Sequence, residues 1–158
     1  PVMVNHHMLM GLNQPPEDLK EKNTLERAIA LKMSKSKPDT AIFMDDSRED
    51  VDRKMKKAWC PEGIAEENPV LEYFKYIIFE LNKDVTIERP QEYGGNLSVP
   101  SYSELERQFK MKRIHPMDLK QAASKYIDDA IRPIREKILN TTKTRKMAEE
   151  IRQFEVTR

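Results

Sequence analysis

Hydrophobic residues recur along this chain at helical spacing over most of its length, with three short exceptions. Residues 2–10 are largely apolar, end at Gly11, and read as one buried strand. Pro15-Pro16 then breaks the chain, and 17–31 has helical spacing at Leu25, Ala28 and Ile29 with Asn23 as a candidate cap. Ser47 precedes a helix whose apolar positions are Val51, Met55, Ala58 and Trp59, ended by Pro61 and Gly63. Asn68-Pro69 opens the next helix, with Leu71, Phe74, Ile78 and Leu81 on its apolar side. Val85-Thr86-Ile87 and Leu97-Ser98-Val99 alternate on either side of Pro90 and Gly94-Gly95, which predicts a hairpin with a seven-to-nine-residue loop. Ser101-x-x-Glu104 and Ser103-x-x-Glu106 both fit a capping box for a helix reaching Phe109. His115-Pro116 opens a long helix with Leu119, Ala122, Tyr126, Ala130 and Ile134 on one face, and Pro133 is expected to kink or split it. Thr144 is a candidate cap for a last helix carrying Met147, Ile151 and Phe154.

The stretch between the first two helices carries the chemistry. Lys32-Met33-Ser34-Lys35-Ser36, followed by Lys37-Pro38, is the loop pattern KMSKS. Two lysines on a small-residue loop can close over phosphates as negative charge builds on them. Lysine suits a moving loop, being a point charge on a flexible stem. Taken alone, a short Lys/Ser run also fits a solvated basic loop.

Further blocks accompany it. They are Val2 to Leu12, Ala41-Ile42-Phe43-Met44-Asp45-Asp46-Ser47, Ala58-Trp59-Cys60-Pro61-Glu62-Gly63, Tyr93-Gly94-Gly95-Asn96-Leu97-Ser98-Val99 and His115-Pro116-Met117-Asp118-Leu119-Lys120. In this order they resemble tyrosyl-tRNA synthetase of the archaeal and eukaryotic type, a class I aminoacyl-tRNA synthetase. The resemblance covers nearly the whole chain except residues 13–31. It lacks that family's HIGH-like motif, since no His-x-Gly-His pattern occurs here.

The resemblance implies a mainly α fold. One part, residues 1–46, would be the edge of a Rossmann-type catalytic domain: one strand plus the KMSKS loop. The other, residues 47–158, would be a helical anticodon-binding domain with a small β-hairpin. The implied activity is ATP-dependent attachment of L-tyrosine to tyrosine tRNA, with Mg2+ accompanying the nucleotide. This chain resembles the C-terminal part of such an enzyme, so it is expected not to aminoacylate alone. The complete enzyme would be a cytoplasmic homodimer, and this chain by itself a monomer. A stand-alone RNA-binding module and a tryptophanyl-tRNA synthetase fragment are the rival readings.

Composition changes the picture in one respect. The net charge of +1 hides an asymmetry. Residues 58–106 carry 10 acidic and 3 basic side chains, whereas 107–146 carry 12 basic and 4 acidic. That suggests either a local anion-binding face or charges that pair across the domain. No apolar run is long enough to span a membrane. The single cysteine, Cys60, permits no internal disulfide and reads as a small buried hydrophobe. Adjacent histidines on a strand point to opposite faces, so His6-His7 is assigned no metal.

The resemblance also implies the site residues. Lys35 and then Lys32 are the expected catalytic contacts to ATP phosphates, with Met33, Ser34 and Ser36 completing the ATP-binding loop. The backbone near Met8 and Leu9 would lie beside adenine. Tyr93 and His115 would stack on or pack against the first anticodon base, and Asp118 would accept from its Watson–Crick edge. Single-stranded loops are read in this way, by splayed bases on aromatic faces. Lys112, Arg113 and Lys120 could meet backbone phosphates. From the bare residues other roles stay open: Asp118 as a helix-dipole partner, His115 as a loop residue, Tyr93 as a cover for the hairpin.

Overall fold

The structure, a computed structural model, describes residues 2–3, 6–17, 19, 23–34 and 37–154, with all their side chains except those of Thr24 and Arg152. Its described part is mainly helical. In chain order it has α1 (Thr24–Leu31), a 3-10 turn (Pro38–Thr40), α2 (Arg48–Lys57), α3 (Pro69–Tyr73), a π-helical turn (Phe74–Ile78), α4 (Phe79–Leu81), β1 (Val85–Ile87), a 3-10 turn (Gln91–Tyr93), β2 (Leu97–Val99), α5 (Tyr102–Lys110), α6 (Pro116–Leu139) and α7 (Thr142–Gln153).

Most helix starts have the expected chemistry. Asn23 caps α1 in a reciprocal box with Glu26. The Ser47 side chain accepts from the Asp50 amide, and that of Asn68 accepts from Val70 and Leu71. Ser101 accepts from the Glu104 amide, but the Glu104 carboxylate turns to Arg107 and Gln108 instead of closing a box.

The core forms where α2, α3 and α6 meet the hairpin. Val51, Met55, Phe74, Ile87, Phe109 and Leu119 are all fully buried there. Leu12 and Ile42 join the same cluster, so the chain on both sides of the KMSKS stretch packs into one core. The hairpin pairs Val85 with Val99 and Ile87 with Leu97, antiparallel, as the alternation predicts. Cys60 is buried, with Asn68 Nδ2 donating to its Sγ at 3.5 Å. Burial pushes its thiol pKa up, which keeps it an inert thiol.

Several expectations need correction. The described residues of 2–10 form no regular strand: Val2 is 94% and Met3 87% exposed, and among the described residues the segment joins a single bridge, Met10 to Lys32. A strand needs neighbours along its length, and the described residues supply one partner position. Val4 and Asn5 lie outside the described residues. The apolar positions Leu25 and Ile29 of α1 face out, as do Met147, Ile151 and Phe154 near the C-terminus. Leu81 is exposed because the π turn inserts an extra residue and rotates the positions beyond it. Trp59 lies beyond α2 and is half-buried. The buried stripe of α6 runs through Leu119, Ala123, Ile127 and Ile131, leaving Ile134 exposed and Tyr126 partly so. Pro133 does not split α6, which continues to Leu139. Thr141, not Thr144, caps α7 by accepting from the Thr144 amide.

Candidate functional site

Three elements converge on one open cleft of about 420 Å³, lined by Arg89, Pro90, Tyr93, Lys112, Arg113, His115 and Asp118. Its size is that of a small-ligand site. The loop between β1 and β2 forms one wall. Tyr93 ends the 3-10 turn there, and Gly94 and Gly95 come next with φ of +93° and +68°, a left-handed pair that glycine adopts without strain. Tyr93 stays 68% exposed.

The α5–α6 turn forms the opposite wall. The Lys112 amide donates to the Phe109 carbonyl and the Arg113 amide to that of Gln108, both near 3 Å. This is a Schellman closure of α5, with Lys112 at φ +57° where glycine is usual. His115 then caps α6: its Nδ1 accepts from the Met117 amide at 3.2 Å. A neutral ring in that role carries its proton on Nε2, leaving a donor free. Asp118 sits in the same first turn, partly exposed, with no hydrogen-bond partner among the described residues.

Arg89 ties the two walls together. Its Nε donates to the Gly95 carbonyl and its Nη1 to the Arg113 carbonyl, each at 2.9 Å. No sequence motif singles out Arg89. A signal existed, since it is one of three cations in the acidic stretch 58–106. The cleft therefore combines an aromatic face, a carboxylate, an imidazole and three cations. This set can hold a planar polar ring beside an anionic strand.

Much of the charge asymmetry resolves into pairing. Lys110 meets Glu66, Lys112 meets Glu62, and Lys125 meets Glu88. Lys120 lies outside this cleft, where its Nζ donates to the Lys56 carbonyl.

The KMSKS stretch forms a second locus. Residues 9–12 run between its two ends: Met33 N–H donates to Leu9 O at 2.9 Å, Gly11 N–H to Leu31 O at 2.8 Å, and Leu12 N–H to Thr40 O at 2.9 Å. A Cβ at Gly11 would meet Asn13 Oδ1 at 2.9 Å, a contact that a shift of the exposed Asn13 side chain would relieve. Lys32 is exposed, Met33 and Ser34 are half-buried, and Lys35 and Ser36 lie outside the described residues. Met8 borders a cleft of about 240 Å³ with His7, Arg27 and Glu72. His7 stacks on Tyr76 at 3.9 Å and pairs with Glu72, whose other oxygen accepts from the Met10 amide. The structure thus brings Tyr93, His115 and Asp118 together in one place, and Leu9, Lys32 and Met33 in another. Among the described residues, no group of His, Cys, Asp and Glu could hold a metal.

A family model described as class I tRNA synthetases (W and Y) matches residues 12–132. The chain belongs to this family. It is 42% identical over 138 residues to the tyrosine–tRNA ligase of Pyrococcus furiosus, which covers 85% of this chain and 37% of that protein. It is 47% identical over 121 residues to the tyrosine–tRNA ligase of Saccharolobus islandicus, covering 77% of this chain and 34% of that protein. Its structure resembles the tyrosyl-tRNA synthetase of Pyrococcus horikoshii, crystallised with L-tyrosine, at a TM-score of 0.83 and 36% identity over 92% of this chain and 40% of that one. The chain therefore spans well under half the length of the synthetases it matches.

Proposed function

We propose that this chain works within a tyrosine–tRNA ligase, supplying its KMSKS loop and its reader of the anticodon. The observation that carries the reading is the single cleft that Tyr93 shares with His115 and Asp118, which lie 22 and 25 positions further along the chain. In this reading Tyr93 offers a face for the first anticodon base and His115 packs on it. The Asp118 carboxylate accepts from N–H groups on the base's edge, which selects guanine. Arg89, Lys112 and Arg113 surround the base with positive charge for the flanking phosphates.

The KMSKS stretch would serve ATP. Lys32 and Lys35, with Met33, Ser34 and Ser36, would close on the phosphates, and the backbone at Met8 and Leu9 would lie beside adenine. The hydrogen-bonded spine 9–12 supports this, because it ties both ends of the loop, at Leu31, Met33 and Thr40, to one segment and leaves Lys32 exposed. ATP brings an activated phosphoryl group and Mg2+ with it. The lysines would stabilise charge on the departing pyrophosphate. Residues 1–46 would form the edge of the catalytic domain and 47–158 the anticodon-binding part. L-Tyrosine, dimer formation and the cytoplasmic setting belong to the complete enzyme. By itself this chain would be a monomer that does not aminoacylate. No described helix is long and apolar enough to cross a membrane.

The test is binding of the purified chain to tyrosine tRNA and to the same tRNA with its first anticodon base changed. Weaker binding to the changed tRNA, with the difference abolished by Asp118→Ala, is the expected result. Equal binding of both RNAs by the unaltered chain overturns the anticodon reading. Pyrophosphate exchange by the complete enzyme carrying Lys35→Ala tests the loop separately, and an unchanged rate refutes its role.

A further inference from the structure

The first turns of α6 divide two clefts. His115 and Asp118 face the base cleft, whereas Met117, Lys120 and Ser124 line a second one of about 260 Å³ with Asp52 and Lys56 of α2. Positions 117, 120 and 124 recur at helical spacing, so one face of α6 forms this wall while its neighbouring face reads the base. The acid in the second cleft is already engaged. Asp52 pairs with Arg48 at 3.1 Å and accepts from the Ser124 hydroxyl. The two lysines are not neutralised. Lys120 Nζ donates to the Lys56 carbonyl at 3.2 Å, which aims it across the α2–α6 seam and leaves further ammonium protons free. Lys56 is exposed in the last turn of α2, and neither lysine has an ion pair among the described residues. Lys110, Lys112 and Lys125 contrast with them, each sitting beside a glutamate.

We infer that this second cleft holds the ribose–phosphate backbone of the same RNA whose base enters the first cleft, with Lys56 and Lys120 each meeting a phosphate. The inference rests on the base-cleft reading for its ligand. It adds a separate surface with a separate signature. A base-reading group changes the ratio between two RNAs, whereas a phosphate contact weakens all RNAs alike and steepens the dependence on salt.

The experiment titrates the chain with tyrosine tRNA and with its first-anticodon-base variant across a series of salt concentrations. Lys56→Gln, Lys120→Gln and the double substitution are compared with the unaltered chain. Each single substitution is expected to reduce the slope of log affinity against log salt by about 0.7, and the double by about twice that. The ratio between the two RNAs should stay unchanged. Lys56→Arg should retain the slope. Lys56 is solvent-exposed, so its substitution tests the inference even if Lys120→Gln impairs folding. A slope unaltered in Lys56→Gln and in the double variant overturns the inference. So does weakening of only one of the two RNAs. If the unaltered chain binds both RNAs equally while the lysine variants still flatten the slope, the base reading falls and the phosphate surface stands.

Discussion

Arg89 Nη1 donates to the main-chain carbonyl of Arg113 at 2.9 Å, across 24 residues of chain, while its Nε holds the Gly95 carbonyl. One planar guanidinium thereby sets the width of the cleft lined by Tyr93, His115 and Asp118. Arg89→Ala should lower affinity for tyrosine tRNA about tenfold and shrink discrimination at the first anticodon base, at a stability cost of about 1–2 kcal/mol. Arg89→Lys restores the charge but not the fork, and should recover affinity more than discrimination. Titration of both RNAs, with urea unfolding of the same variants, checks this. Unchanged discrimination in Arg89→Ala would remove its role in setting the cleft.

Lys112 holds φ +57° at the end of α5. A side chain costs about 1 kcal/mol in this conformation relative to glycine. Lys112→Gly should therefore stabilise the protein by about that amount in urea unfolding, while weakening RNA binding. Lys112→Ala should weaken binding without the stability gain. Tighter or equal RNA binding by Lys112→Gly would contradict the placement of this cation on the cleft wall.

Lys54 is a buried cation between the segment leaving the KMSKS loop and α2. Its Nζ reaches Asp46 Oδ2 at 2.6 Å, Asp46 Oδ1 and Ala41 O at 2.9 Å, and lies 4.6 Å from the Phe43 ring centre. Lys54→Ala strands the Asp46 carboxylate and should cost about 3–5 kcal/mol. Lys54→Met with Asp46→Asn should recover much of that loss, because neither charge is then left alone. Chemical denaturation of the three proteins gives the comparison.

Asp128, only 4% exposed, accepts from Arg135 at 2.8 Å and from Arg48 at 3.3 Å. Burial alone would push its carboxyl up, but the two guanidinium hydrogen bonds outweigh it and hold it below the ordinary carboxylate value. A lowered folded-state pKa makes the contribution full above the unfolded value near 4, and lost as pH falls through the folded value. Asp128→Asn should thus be destabilised by about 3 kcal/mol at pH 7. Its deficit against the unaltered chain should narrow below about pH 4. Melting curves from pH 7 to pH 2.5 read this directly, and a constant deficit would refute the linkage.

The local pattern determined most element boundaries here, because caps and turns are short-range chemistry. Ser47, Asn68-Pro69 and the alternation around Gly94-Gly95 announce their elements within a few residues. Motif order pointed to the family and to Tyr93, His115 and Asp118. Local pattern misled where a distant partner decides. The apolar run 2–10 reads as a strand, yet pairing depends on what lies alongside, and among its described residues only Met10 has a bridge. Leu25 and Ile29 show an amphipathic period, but burial needs a surface to pack on, and both face out. Only the tertiary structure brings Arg89 between two walls, since a guanidinium spanning 24 residues leaves no periodic trace. Only it shows which cations of 107–146 sit beside acids of the stretch 58–106, as Lys110, Lys112 and Lys125 do, and which, like Arg113 and Lys120, line the clefts without an ion pair among the described residues. Charge counts are additive along a chain, whereas pairing depends on distances of a few ångströms that folding alone sets.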